Sequence, residues 1–182
     1  GALKKASDQA QRAGTIIRSV HEFVRKREAR REWLDIGELI TTILPLVELQ
    51  AKTAHVPVQC KIASDLPPVS ADKTLLEQVL LNLTRNAIEA MSTCPLAQRQ
   101  LGLLAVRDGE MLRVDVVDRG LGISADHAAK LFTPFFSTKQ NGMGMGLNVC
   151  RTAIEFHGGR LEHRENPAGG TIFSFSLPLT VP

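Results

Sequence analysis

The apolar positions of this chain fall into two textures. From Leu3 to Arg31 there is no proline and a single glycine, Gly14, while Ala6, Ala10, Ala13, Ile17, Val20 and Val24 step by four, three, four, three and four. That is a heptad seam, with Lys, Arg, Asp, Glu and Gln on the other faces. It predicts a helix of roughly 28 residues, about 42 Å long, whose stripe needs a partner helix. No second heptad segment lies beside it. A dimerising stalk suits so regular a seam better than a terminal helix folded back on its own domain, although both satisfy the pattern. Arg25, Lys26, Arg27, Arg30 and Arg31 cluster at its end, where cations suit the dipole of a solvated last turn.

The texture changes near Trp33. Asp35-Ile36-Gly37-Glu38 reads as a helix start, followed by an apolar face of Leu39, Ile40, Ile43, Leu44 and Val47. Pro45 inside this helix is expected to bend it or remove one hydrogen bond. Val56 to Ile62 alternates like a strand and ends at Leu66-Pro67-Pro68. A second helix is predicted from Asp72 to about Met91, carrying Leu75, Leu76, Val79, Leu80, Leu83 and Ile88. Strands Leu101 to Arg107 and Met111 to Asp118 follow, joined at Asp108-Gly109, a strong hairpin signal. A short helix is predicted near Ala125 to Leu131. A Gly/Met-rich loop then opens a helix from about Met145 to His157, stopped by Gly158-Gly159. Arg160 to Glu165 and Thr171 to Leu177 form a closing hairpin. Helices and antiparallel strands mix without regular βαβ alternation, so the fold class is α+β, a sheet with helices on one face.

The composition fits one domain plus an appendage: residues 1–32 as the helix and 33–182 as the globular part. At 182 residues and 43% hydrophobic content the chain has ample material for a core. A net charge of +3 gives no compositional reason to expect a nucleic-acid partner. The best apolar run, Leu39 to Leu49, is cut by Thr41, Thr42, Pro45 and Glu48, so neither a membrane span nor membrane contact is expected. The first residues lack the apolar core of a signal peptide. Cys60, Cys94 and Cys150 are odd in number and form no CxxC pattern. They read as reduced, mostly buried thiols of a cytoplasmic chain, not as staples or zinc ligands.

Three constellations carry chemistry. Asn82 and Asn86 are four apart, so both amides project from one side of the second helix. Asparagine is a weak helix former, and the pair reads either as a buried hydrogen-bonding couple or as neutral oxygens for a magnesium ion that takes its main charge from phosphates. Asp118-Arg119-Gly120-Leu121-Gly122-Ile123 closes an alternating strand. Its glycines permit a sharp turn, and Asp118 offers a carboxylate acceptor suited to an exocyclic amine. Gly142-Met143-Gly144-Met145-Gly146-Leu147 opens a helix, which clusters N–H donors and a positive dipole end where phosphate binds well. It is neither a Walker A loop nor a Rossmann fingerprint, and glycine at every second position also suits a flexible lid.

The order of these motifs is more specific than any one of them. The Asn-x-x-x-Asn helix, the Asp-x-Gly-x-Gly turn, Phe132-Thr133-Pro134-Phe135-Phe136, the Gly-x-Gly-x-Gly loop and Gly169-Gly170-Thr171 occur in sequence. Together they resemble the N, G1, F, G2 and G3 boxes of the catalytic and ATP-binding domain of bacterial sensor histidine kinases, from about Trp33 to Leu177. Asn-Leu-Thr-Arg-Asn-Ala-Ile-Glu-Ala-Met and Phe-Phe-Ser-Thr-Lys are similar to the nitrogen-fixation and dicarboxylate-sensing class. The resemblance implies the Bergerat fold, a two-layer α/β sandwich with a mixed sheet, and Mg-ATP as ligand. It implies that Asn86 coordinates magnesium, that Asn82 lies beside the phosphates, and that Asp118 accepts from the adenine amino group, with Thr171 helping through water. Gly120, Gly122 and Ile123 would wall the base. Gly142, Gly144, Met145, Gly146 and Leu147 would close over the nucleotide, with Phe132 of the aromatic box also among its neighbours. Many relatives carry a lysine three residues beyond the magnesium asparagine; here that position is Glu89, which leaves Arg85 or Lys139 to face the phosphates.

Asn82 bears on the reaction. In related gyrase-type and mismatch-repair ATPases the matching position resembles a glutamate that activates water, and an amide cannot take that proton. Phosphoryl transfer to another acceptor is therefore expected over steady hydrolysis. Sensor kinases place the acceptor histidine in a His-Glu/Asp-x-x-x-Pro-like box; the only stalk candidate, His21-Glu22-Phe23-Val24, has no following proline and reads as an ordinary stalk histidine. His55, His127, His157 and His163 receive no role. The expectation is a fragment holding the ATP site and the second dimerisation helix, without the acceptor, homodimeric through that helix in the intact protein and serving a response regulator. A nucleotide-gated interaction module and a hydrolytic clamp ATPase are the alternative readings.

Overall fold

The structure is a computed structural model, and the residues it describes are 30–133, 136, 144 and 146–179. The chain divides into two units, and nearly all described residues belong to the second, Arg31–Pro182. The heptad stretch, His21 included, lies outside the described residues.

Two long helices form where the periodicity predicts them. Helix α1 (Ile36–Thr53) starts at Asp35, whose side chain accepts from the Glu38 amide at 3.0 Å. It buries Ile36, Leu39, Ile40, Ile43, Val47 and Ala51, a single stripe. The helix runs on through Pro45. Proline leaves the Thr41 carbonyl without its helical donor, but Thr41 and Pro45 both lie on the exposed face, open to solvent. Helix α2 (Lys73–Ala90) is capped in the same way by Asp72, which accepts from the Leu75 amide at 3.0 Å. It buries Leu76, Val79, Leu80, Leu83, Ala87 and Ile88.

A five-stranded mixed sheet supplies the second layer. Its strands are β2 (Val58–Ile62), β4 (Leu101–Asp108), β5 (Met111–Val117), β6 (Arg160–Glu165) and β7 (Thr171–Pro178), in the order β2-β4-β5-β7-β6. Only the β2–β4 pair is parallel; β4–β5, β5–β7 and β6–β7 are antiparallel. Asp108 pairs with Met111, and Gly109, with φ of 62°, takes the left-handed position that a two-residue hairpin turn requires. Alternate residues Leu101, Leu103, Leu112, Val114, Val116, Phe173, Phe175 and Leu177 are buried in one core with the helices. On the opposite face Asp115, Ser174, Arg113 and Arg164 form a polar network. This is the expected α+β sandwich.

Several boundaries differ from the prediction. The first sheet strand begins at Val58 rather than Val56, because Pro57 has no N–H to give a ladder; its carbonyl instead accepts from the Leu101 amide. The short helix α3 covers only Ala125–Ala128, and α4 covers Gly146–Phe156. Two three-residue strands, β1 (Glu32–Leu34) and β3 (Val69–Ala71), pair antiparallel as a separate ribbon that the sequence pattern did not announce. Arg99 ties the far ends of the two long helices together: its guanidinium donates to the carbonyls of Ala54, Ser92 and Cys94 at 2.7, 2.8 and 3.0 Å.

Candidate functional site

Helix α2 is the common floor of the site. Its last residue, Ala90, meets the Asp118 turn: a Cβ on Gly120 would stand 2.7 Å from the Ala90 carbonyl oxygen. Its middle meets the start of α4: a Cβ on Gly146 would stand 2.7 Å from Nδ2 and 2.9 Å from Oδ1 of Asn82. Two glycine motifs distant in sequence are thus pressed against one helix, Asn82 and Ala90 lying eight residues, about 12 Å, apart along it.

The Asp118 end is a tightly fitted cradle. Asp118 follows the last residue of β5 and is buried. Its Oδ1 accepts from the amides of Gly120 at 2.7 Å and Thr171 at 3.1 Å. Among the described residues both bonds fall on Oδ1, which leaves Oδ2 for a ligand's donor. Burial raises the carboxyl above its ordinary value, against the lowering effect of those two amides. Gly122, with φ of 76°, lies where a Cβ would touch the Gly170 carbonyl oxygen at 3.6 Å. Gly170 itself passes hard against Asp118.

Asn166 also belongs to this cradle, though the sequence reading passed over it. Its Nδ2 donates to the Asp118 carbonyl at 2.8 Å, and its Oδ1 accepts from the Ala168 amide at 3.1 Å. An asparagine opening the turn Asn166-Pro167-Ala168-Gly169-Gly170 is a local signal for the second bond; nothing local announces the first.

The asparagine end carries the opposite polarity. Asn82 and Asn86 are both half-buried on α2. Asn82 Oδ1 accepts from Arg85 Nη2 at 3.1 Å, and Nδ2 donates to Cys150 Sγ at 3.2 Å. Arg85 also faces Glu89, with Nε 4.0 Å from Oε1. The first turn of α4 begins at Gly146, beside Asn82, so positive helix-dipole character and a guanidinium stand at one end while a carboxylate stands at the other.

The remaining predicted site residues are placed as follows. Ile123, Phe132 and Leu147 are half-buried and pack against the core. The Phe132 ring lies 6.1 Å from that of His163, with the Arg151 guanidinium 5.3 Å above its centre. Gly144 is left-handed, φ 66°. Lys139, Gly142 and Met145 lie outside the described residues. Of the histidines given no role, His157 is buried and tethered: it accepts from the Asp72 amide at Nε2, 2.9 Å away, and its Nδ1 is 2.6 Å from the Ala153 carbonyl.

A mixed sheet covered on one face by helices, with an asparagine-bearing helix facing an aspartate–glycine cradle, is the architecture that the box order implies. The chain belongs to the family of histidine kinase-, DNA gyrase B- and HSP90-like ATPases, whose pattern matches residues 71–181. It is 43% identical over 178 residues to the C4-dicarboxylate transport sensor protein DctS of Rhodobacter capsulatus, a match covering 98% of this chain and 27% of DctS. The catalytic domain of the histidine kinase ThkA is similar at TM-score 0.72 and 30% identity, over 82% of this chain and 96% of that domain. ThkA in complex with the response regulator TrrA is similar at TM-score 0.73 and 28% identity, over 96% of this chain and 49% of the ThkA chain. The chain spans 27% of the length of DctS and 35% of that of the sensor protein FixL of Bradyrhizobium diazoefficiens, to which it is 39% identical over 97% of this chain. No helix among the described residues is long and apolar enough to cross a membrane.

Proposed function

We propose that this chain is the ATP-binding catalytic module of a sensor histidine kinase, acting on the cytoplasmic side where ATP is available. The stretch expected from the sequence at 1–32 would supply the second dimerisation helix, but it ends before Glu32, where β1 already belongs to the catalytic unit. One observation carries the reading: α2 joins a buried carboxylate cradle at its end to a paired-asparagine, arginine and helix-terminus cluster at its middle. That polarity fits an adenine nucleotide laid along the helix, base to Asp118 and phosphates to Asn82.

The residues present fit the groups they would hold. At Gly120 and Gly170 the space a Cβ would take is filled by the Ala90 carbonyl and by Asp118 itself, so the two turns close tightly around the carboxylate and hold it in place for a base. Asp118 Oδ2 accepts from the adenine amino group, and the raised affinity of that carboxyl for protons is what a buried acceptor without a cationic partner shows. Among the described residues no cluster of three or more His, Cys, Asp or Glu could hold a metal. A divalent cation here would use the Asn86 amide oxygen, as the box order implies, and take its charge balance from phosphates, as magnesium does. Magnesium supplies neutralisation of the phosphate charge when bound. Arg85, or Lys139, adds a protein cation beside it. Asn82 has no basic atom to take a proton from water, so the site favours positioning of a phosphoryl group for an external nucleophile over hydrolysis. The nucleophile would be a histidine on a dimerisation helix outside this chain, and a response regulator would accept the phosphoryl group next.

Calorimetry with ATP and magnesium, and transfer of labelled phosphate to an added acceptor helix, test this. Binding and transfer are expected, and Asn86→Ala should abolish the magnesium-dependent part of both. No heat of association, or undiminished transfer by Asn86→Ala, overturns the assignment. Rapid phosphate release without transfer would favour a hydrolytic enzyme instead.

A further inference from the structure

An asparagine side chain offers an oxygen on one side and an NH2 on the other, and its partners alone decide which way it faces. For Asn82 the partners come from two helices. Arg85 only donates, so it takes Oδ1. Cys150 Sγ lies 3.2 Å from Nδ2 and 3.9 Å from the Val79 carbonyl oxygen. The Val79 carbonyl is an acceptor that a weak S–H···O bond can reach, which puts the thiol proton on that side and leaves the sulfur's lone pairs to accept the Asn82 N–H. Burial pushes the thiol up to about 12, which keeps that proton in place through the neutral range. Gly146 is on the same face of α4 as Cys150, four residues earlier, and is so near that any side chain there would meet the carboxamide.

We propose that Cys150 is a positioning residue for the phosphate end of the site: its thiol turns the Asn82 carboxamide so that Oδ1 is held toward Arg85 and the pocket. This rests on the reading of Asn82 as the phosphate-side asparagine. It gives a job to a cysteine that neither pairs nor reacts, and it couples the first turns of α4, where the glycine loop ends, to the side chain on which the phosphates depend.

The test uses the 182-residue chain with Cys150→Val, Cys150→Ser, Asn82→Ala and the Val/Ala double variant, measuring affinity for Mg-ATP and for adenosine. Valine is apolar like cysteine, one methyl larger, and accepts nothing, so Cys150→Val should weaken Mg-ATP binding about five-fold, the size of one hydrogen bond, and leave adenosine unchanged, and Cys150→Ala, which adds no bulk, should do the same. Cys150→Ser, with a donor and acceptor restored, should recover most of the loss. In the Asn82→Ala background Cys150→Val should have no further effect. Should Cys150→Val fail to fold, Cys150→Ala against Cys150→Ser makes the same comparison. Equal weakening of adenosine and Mg-ATP, additive losses, or wild-type Mg-ATP affinity in Cys150→Val would overturn the proposal. If Asn82→Ala itself binds Mg-ATP normally, the reading of Asn82 falls and this one with it. If Asn82→Ala weakens binding and Cys150→Val does not, the positioning role alone is lost.

Discussion

Gly170 lies so close to Asp118 that a Cβ on it would stand 2.3 Å from the Asp118 carbonyl oxygen and 2.5 Å from Oδ1. Its φ is 91°, outside the range of ordinary side chains. The obstructing carbonyl is backbone, part of the antiparallel junction in which the Asp118 amide donates to the Thr171 carbonyl at 2.9 Å, so it cannot swing aside. Gly170→Ala should therefore cost about 2 kcal/mol or more of stability and break the cradle. A lowered thermal midpoint with weakened adenosine binding is the expected result; an unchanged midpoint would mean that the turn relaxes freely.

Gly146→Ala is the informative contrast. Here the obstructed group is the far end of the Asn82 side chain, not backbone, and at the first position of the helix alanine is at least as favourable as glycine. Stability should hold, because the added methyl displaces the carboxamide and not the helix. Affinity for Mg-ATP should fall about ten-fold while adenosine binding is kept. Calorimetry beside a thermal melt separates the two effects.

Arg99 stabilises the fold away from the site. Its three carbonyl acceptors follow the ends of α1 and α2, where unpaired carbonyls accumulate and a cation is favoured. Arg99→Ala should cost about 2–3 kcal/mol in urea unfolding, and lysine should restore little, since one ammonium cannot match the planar fork. Nucleotide affinity at temperatures where the variant stays folded should be unchanged.

What was legible in the sequence follows from how local each signal is. The stripes of α1 and α2, their Asp35 and Asp72 caps and the Gly109 turn are fixed by neighbours a few residues away, and all stand where the pattern put them. Strands β1 and β3 are three residues each and exist only because Trp33 pairs with Ser70 across the chain, so no periodicity marks them. The box order predicted that Asp118 and Thr171 share a site, and the bond from the Thr171 amide to Oδ1 shows them together. The sequence marks Cys150 as a buried thiol but not its partner, and gives Asn166 no place in the site, for the reason β1 is unmarked: their partners, Asn82 and Asp118, are 68 and 48 residues away.

The Asp118 carboxyl makes a pH-dependent prediction. Burial places its folded value above the unfolded one despite the Gly120 and Thr171 amides. The charged form thus costs stability at neutral pH, and the cost is relieved as pH falls through the folded value toward the ordinary carboxylate range near ~4. Asp118→Asn keeps an oxygen for both amides and removes the charge. It should melt higher than wild type at pH 7.5, with the gap narrowing toward pH 4. Its NH2 would face the adenine amino group, so Mg-ATP affinity should fall at least about ten-fold.

His157 has the opposite sign. The ring is buried between the end of α4 and the cap of α2, with Nε2 accepting from the Asp72 amide and Nδ1–H donating to the Ala153 carbonyl, so the geometry requires the neutral tautomer. Burial lowers its proton affinity first; the Ala153 carbonyl pulls the other way, Arg31 adds to the lowering, and Asp72 opposes it. With the folded value below the unfolded one of about 6.5, the unfolded chain takes up the proton first on acidification. The stability tied to the neutral ring is therefore complete above pH 6.5 and is lost as pH falls toward the folded value. His157→Gln retains an acceptor within reach of the Asp72 amide but does not titrate. Its thermal midpoint should be lower than wild type at pH 7.5, because the fit to Ala153 is lost, yet should decline less steeply between pH 6.5 and 5. Parallel slopes for the two proteins would show that the ring takes up its proton in the folded chain as readily as in the unfolded one.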